Sequence, residues 1–115
     1  MKEFALIFRM SKEPDASPTP EQIQERTNWL ASIAAQNKLA DKGNSLSAAN
    51  AKIVNGPNAV TDGPYTEIKE FISGYVIIKT ETIDEVVELA KTNPIFKIGG
   101  RIEIREIVKL YNHNN

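Results

Sequence analysis

Gly74-Tyr75-Val76-Ile77-Ile78-Lys79-Thr80 decides the architecture of this chain. Tyr75 to Ile78 is apolar at every position, and its aromatic and β-branched side chains suit a pleated strand. Successive side chains of a strand point to opposite faces, so a run that is apolar on both faces is a central strand with both sides covered. Downstream, Thr82 and Glu85 have the spacing of a capping box, and Ile83, Val86, Val87 and Ala90 follow at helical intervals. Asn93-Pro94 closes that helix. Gly99-Gly100 is a turn, and Arg101 to Leu110 reads as a last strand with Ile102, Ile104 and Val108 on one face.

Upstream, Thr66 to Ile72 is charged and reads as irregular. Ala51 to Val54 and Ala59 to Thr61 flank the turn signal Asn55-Gly56-Pro57-Asn58 and form a hairpin that Asp62-Gly63-Pro64 ends. Further back, Thr19 is an N-cap with Pro20 at the first helical position and Gln22 completing a capping box. Ile23, Leu30, Ile33 and Ala34 make the apolar stripe of that helix. Lys38 and Lys42 are placed near its negative end, with Gly43 as terminator. Ser11 to Pro18 is a loop. Glu3 to Met10 alternates as a strand, with Phe4, Leu6, Phe8 and Met10 on one face and Ala5, Ile7 and Arg9 on the other.

The order is β-α-β(β)-β-α-β, an α+β class, ferredoxin-like sandwich. Two helices cover one face of such a sheet. The other face retains Ile7, Ile107 and one side of the Tyr75–Ile78 run, a larger apolar patch than monomers usually expose. The expected solution is a homodimer packed sheet against sheet.

The chain's 115 residues make one domain, residues 1–110, with a frayed tail at 111–115. Hydrophobic residues at 41% and charged residues at 25% argue against the disordered and membrane classes. With 14 basic and 15 acidic residues and a net charge of -1, the chain lacks the basic footprint of a nucleic-acid binder. It has no cysteine and 1 histidine, His113 in the Asn-rich tail, so thiolate, imidazole and triad chemistry lack their material. No metal or cofactor is expected. Gly99-Gly100 precedes a strand, where a phosphate loop would precede a helix. The apolar run Phe4 to Phe8 is too short for a signal peptide or a membrane span, and a cytoplasmic location is expected.

The most unusual stretch is Val60-Thr61-Asp62-Gly63-Pro64-Tyr65-Thr66-Glu67-Ile68-Lys69-Glu70, followed by Gly74-Tyr75. Asp62-Gly63-Pro64 has the chemistry of an Asx-turn, which either shapes the backbone or holds Asp62 at a pocket mouth as a base. Glu67 and Lys69, two residues apart, fall on one side of an extended segment, as part of the same pocket or of a solvated charged loop. Arg9, in line with Ile7, needs a carboxylate partner or a ligand anion. Glu103 lies between Arg101 and Arg105, where mutual neutralisation is the simpler account. Tyr65 and Tyr75 can hydrogen-bond a ligand or simply pack, and Trp29 fits a core or dimer contact.

These residues resemble the DGPF-type branch of the YCII-related family, in which a V-T-D-G-P-F-x-E-x-K-E run precedes a G-Y strand. The resemblance extends to the first strand, both helices and the segment from Asn93-Pro94 through Arg105, and is poorest over Asn44 to Pro57. It implies a dimeric α/β-barrel of ferredoxin-like subunits. Similar folds include isomerases, monooxygenases and dehydrohalogenases, and some family members are linked to extracytoplasmic-function sigma factors. Two departures stand out. Tyr65 occupies the usual Phe position, and Arg26-Thr27-Asn28-Trp29 stands where the wider family carries the histidine of a proposed His-Asp pair.

Two functions follow. One is a small-molecule site in a dimer cleft, with proton transfer of isomerase or lyase type. Asp62 or Glu67 would be the base, Arg9 or Lys69 would stabilise the oxyanion, and Tyr65 and Tyr75 would contact the ligand. The other, drawn from the resemblance, is a non-catalytic regulatory or protein-interaction module linked to sigma-factor-type transcription. Concavity separates them: a pocket lined by Asp62, Tyr65, Glu67 and Arg9 favours the first, and a motif lying flat on the surface favours the second.

Overall fold

The computed structural model describes residues 1–11, 17–62 and 70–110, with Asp62 described by its backbone. Gly63, Pro64, Tyr65, Glu67, Lys69 and His113, singled out in the sequence, lie outside these residues. The elements are β1 (Lys2–Met10), α1 (Pro20–Ala35), β2 (Leu39–Ser45), β3 (Lys52–Gly56), β4 (Ala59–Asp62), β5 (Phe71–Thr80), α2 (Ile83–Ala90), a 3₁₀ turn at Pro94–Ile98 and β6 (Arg101–Glu106).

Four strands form one antiparallel sheet in the order β2-β5-β1-β6, while β3 and β4 pair with each other as a separate two-stranded sheet among the described residues. With the hairpin set aside, this is the ferredoxin-like topology expected from sequence, and α1 and α2 pack on one face. Phe4, Leu6, Val76 and Ile78 point from the central strands into that layer, where they meet Trp29 and Ile33 of α1 and Val86 and Ala90 of α2. The alternation of β1 accounts for this directly: Phe4 and Leu6 are fully buried, whereas Ala5 and Ile7 between and beside them are not. Thr80 is the buried polar member, and its hydroxyl donates to the Thr82 carbonyl at 2.6 Å.

The structure moves several boundaries. α1 stops at Ala35, where Asn37 adopts φ 59 and the Asn37 and Lys38 amides donate back to the Ala34 and Ile33 carbonyls. That is a Schellman stop with Asn taking the position usually held by Gly. Lys38 and Lys42 therefore do not cap the helix dipole, and Gly43 does not end the helix. Leu39 to Ser45 becomes an edge strand because β5 has a free edge that β2 can pair with, through Leu39 opposite Ile78 and Asn44 opposite Tyr75. This segment takes the sheet position that the hairpin strands were expected to fill.

β5 begins at Phe71, so Phe71 and Ile72 are strand where irregular chain was expected; the pairing of Met10 with Phe71 and Arg9 with Ile72 recruits them. β6 ends at Glu106, opposite Phe4, with one further bond from the Ile107 amide to the Glu3 carbonyl at 2.8 Å, and Val108 is exposed. At α2 the Thr82 side chain accepts from the Glu85 amide at 3.3 Å, the Thr-to-backbone half of the expected box. The box at Thr19 and Gln22 is complete.

Candidate ligand cleft

On α1, Gln22, Glu25, Arg26, Trp29 and Leu30 follow the spacing of one helical face, and all five border a cleft between that helix and the sheet. Phe8, Met10 and Val76 supply sheet surface, the end of β2 runs along one side, and Pro94, Ile95 and Ile98 of the 3₁₀ turn along another. The cleft has a volume of about 840 Å³, within the range of small-molecule sites. Its walls change character along α1, from apolar at Trp29 and Leu30 to polar and charged at Gln22, Glu25 and Arg26.

Trp29 is held rigidly. Its Nε1 donates to the Leu89 carbonyl at 3.0 Å and to the Thr92 hydroxyl at 3.1 Å, which satisfies its one polar group. Its ring meets Phe8 edge-to-face, with centroids 6.3 Å apart and planes at 72°. The aromatic wall is thus positioned from behind by α2 and from the side by β1.

The opposite wall depends on an irregularity in β2. Pairing with β5 shifts between Asp41 and Asn44, where Gly43 has φ +67 and the Asp41 carboxylate accepts from the Gly43 amide at 2.7 Å. A Cβ at Gly43 would stand 1.7 Å from the Tyr75 carbonyl oxygen, so only glycine fits there. The bulge brings Lys42, Gly43 and Asn44 to the cleft. Among the described lining residues the charges are Glu25, Arg26, Lys42 and Lys97, with Glu25 and Lys97 joined as an ion pair.

The other face of the sheet is different. Cross-strand register puts Ile77, Ala5 and Arg105 in one row, Tyr75, Ile7 and Glu103 in the next, and Ile72, Arg9 and Arg101 in a third. Its centre is aliphatic and its β6 edge is ionic. Arg9 donates from Nε to Glu70 at 3.3 Å and from Nη1 to Glu103 at 2.5 Å; Glu70 also pairs with Arg101, and Glu103 with Arg105. The hydrogen bond from Arg101, then its charge and the bond from Arg9, holds the Glu70 carboxyl below its ordinary value against the opposing cost of burial. Arg105 does the same for Glu103, with Arg9 assisting, and Glu70 in turn raises Arg101.

The sequence candidates are therefore dispersed. Tyr75 adjoins the cleft, but strand alternation sends its side chain to the other face of the sheet with Ile7, where its hydroxyl accepts from the Asn44 amide at 3.1 Å. Arg9 has its carboxylate partners on the far face of the sheet. The Asp62 backbone ends the β3–β4 hairpin opposite Lys52. Sequence reasoning missed Gln22, Arg26 and Lys42 as cleft residues. The legible signal was Asp41-Lys42-Gly43, whose Asp and Gly mark a turn that a bulge can use as readily as a helix end.

Among the described residues, no group of three or more His, Asp or Glu side chains is arranged to hold a metal ion, and no helix is long and apolar enough to cross a membrane. No curated protein matches the chain significantly. The family model of the YCII-related domain matches residues 8–111, which takes in every element from the end of β1 through β6, and the chain belongs to that family.

Proposed function

We propose that this domain binds a small, flat, largely apolar molecule in the cleft between α1 and the sheet, and that it does so as a homodimer joined through the uncovered sheet face. The observation that carries the reading is the cleft itself: a concavity of about 840 Å³ whose aromatic wall is fixed by Trp29 and Phe8 and whose rim is polar. Such a combination orients a ligand through a few polar groups while apolar walls supply contact area. The concavity supports a ligand-binding role, in a cleft that does not include Arg9. The apolar rows around Ile7, Ala5, Tyr75 and Ile77 support the dimer, because a second copy removes them from water.

Proton transfer on the bound molecule, of isomerase or lyase type, is assigned in this reading to Asp62 or Glu67. Tyr65 and Lys69 of the same motif would contact the ligand. The one described carboxylate in the cleft lining, Glu25, is occupied by Lys97.

The test is a thermal-shift screen of planar aromatic amides and acids against the native chain and Ser45→Trp. Ser45 is exposed and borders the cleft, so the indole fills the space without entering the core. Compounds that raise the native melting temperature and leave the variant unmoved support the reading, since a ligand stabilises only the state that binds it. A screen with no stabilising compound, or equal shifts in the variant, overturns it.

A further inference from the structure

The charge around the cleft says what kind of molecule it takes, an inference that rests on the cleft being the binding site. Glu25 and Lys97 neutralise each other. Arg26 and Lys42 have no hydrogen bond or ion pair with a described residue, and both border the same cleft. The described lining therefore carries two uncompensated positive charges in a chain whose net charge is -1. Elsewhere the arginines are matched: Arg9, Arg101 and Arg105 share Glu70 and Glu103. Unmatched cations beside low-dielectric walls concentrate positive potential in the concavity.

The two charges come from independent elements. Arg26 is on the helical face that also carries Trp29 and Leu30, and Lys42 is delivered by the Asp41-to-Gly43 bulge. An arginine fork matches a planar carboxylate through two parallel hydrogen bonds, and a lysine adds a compact point charge. We propose that the cleft selects an organic anion, an aromatic or similarly flat monocarboxylate whose apolar body lies against the Phe8–Trp29 wall and whose carboxylate is bound by Arg26 and Lys42. Neutral molecules of the same shape gain the apolar contacts alone.

Calorimetric titration with 2-naphthoate and its neutral counterpart 2-naphthamide separates charge from shape. The native chain is expected to bind the naphthoate about 10-fold or more tightly than the amide, the gain of one charge-assisted contact. Raising the salt concentration should narrow the difference, because the rim is solvent-accessible. Arg26→Gln combined with Lys42→Gln, both at exposed positions, should remove the preference, so that the naphthoate binds no more tightly than the amide to the same variant. Equal binding of both probes by the native chain, or a preference that survives the double substitution, overturns the anion proposal and leaves the cleft standing. Absence of binding by either probe, or binding that persists in Ser45→Trp, overturns the cleft and the anion proposal together.

Discussion

The two faces of the sheet are made by the same strands and solve opposite problems. Toward the helices, Phe4, Leu6 and Ile78 are almost wholly removed from water and carry the folding free energy. On the other side, Ala5, Ile7, Tyr75 and Ile77 are half-buried in the isolated chain, and the β6 edge is a lattice of paired arginines and glutamates. One-residue alternation along β1 thus separates a buried face from a half-exposed one, the face through which we propose that the dimer forms. An aliphatic centre with a charged border is also the anatomy of a protein interface, in which an apolar core is ringed by polar groups.

The sharpest way to break this comparison is to truncate neighbours on β1. Leu6→Ala should cost about 2–5 kcal/mol in urea unfolding, because the packed helices cannot collapse into the space it leaves. Ile7→Ala, measured at concentrations where the chains are separate, should cost about 1 kcal/mol or less. Equal losses would mean that both faces are interior in the single chain.

The second effect concerns association. Ile7→Asp puts a charge at the aliphatic centre, so a sheet-to-sheet dimer should weaken about 100-fold or more. Light scattering after size exclusion should then give the mass of one chain, against two for the native protein, with an unchanged circular dichroism spectrum. A native protein that runs as a single chain at high concentration would remove the dimer.

The smallest effect is electrostatic. Glu70 and Glu103 titrate below their ordinary value of 4.5 in the folded chain, so the unfolded chain binds more protons as the pH falls toward and below that value. Their contribution to stability is present above pH 4.5 and is lost as the pH drops through the folded values. Glu70→Gln and Glu103→Gln should flatten the fall in melting temperature between neutral and acid pH, and high salt should do the same, since these groups face solvent. A slope that neither substitution alters would place the acid sensitivity elsewhere.

Much of the fold was legible because it is written in short-range patterns. The alternation of Glu3 to Met10, the capping box at Thr19 and Gln22, and the doubly apolar Tyr75–Ile78 run each act within a few residues. Leu39 to Ser45 was not legible. Leu-Ala-Asp-Lys-Gly-Asn-Ser has neither alternation nor β-branched residues, and it is a strand because the edge of β5 offers hydrogen bonds to whatever chain follows the Asn37 reversal. The cleft went unread for the same reason, since one of its walls is that strand. The charged motif after Asp62 drew attention by its composition, but a linear pattern does not say which concavity, if any, a residue borders.

By itself, then, the sequence determined the α+β class, both helices and the face on which each β1 side chain lies. Those are consequences of local propensity and periodicity, and they survive any detail of packing. Tertiary structure decided which segment takes the outer sheet position, that Arg9 is matched by Glu70 and Glu103, and that Arg26 and Lys42 have no partner among the described residues around one cavity. Pairing and electrostatic neutralisation depend on distances between residues far apart in the chain, and only the folded arrangement supplies those distances.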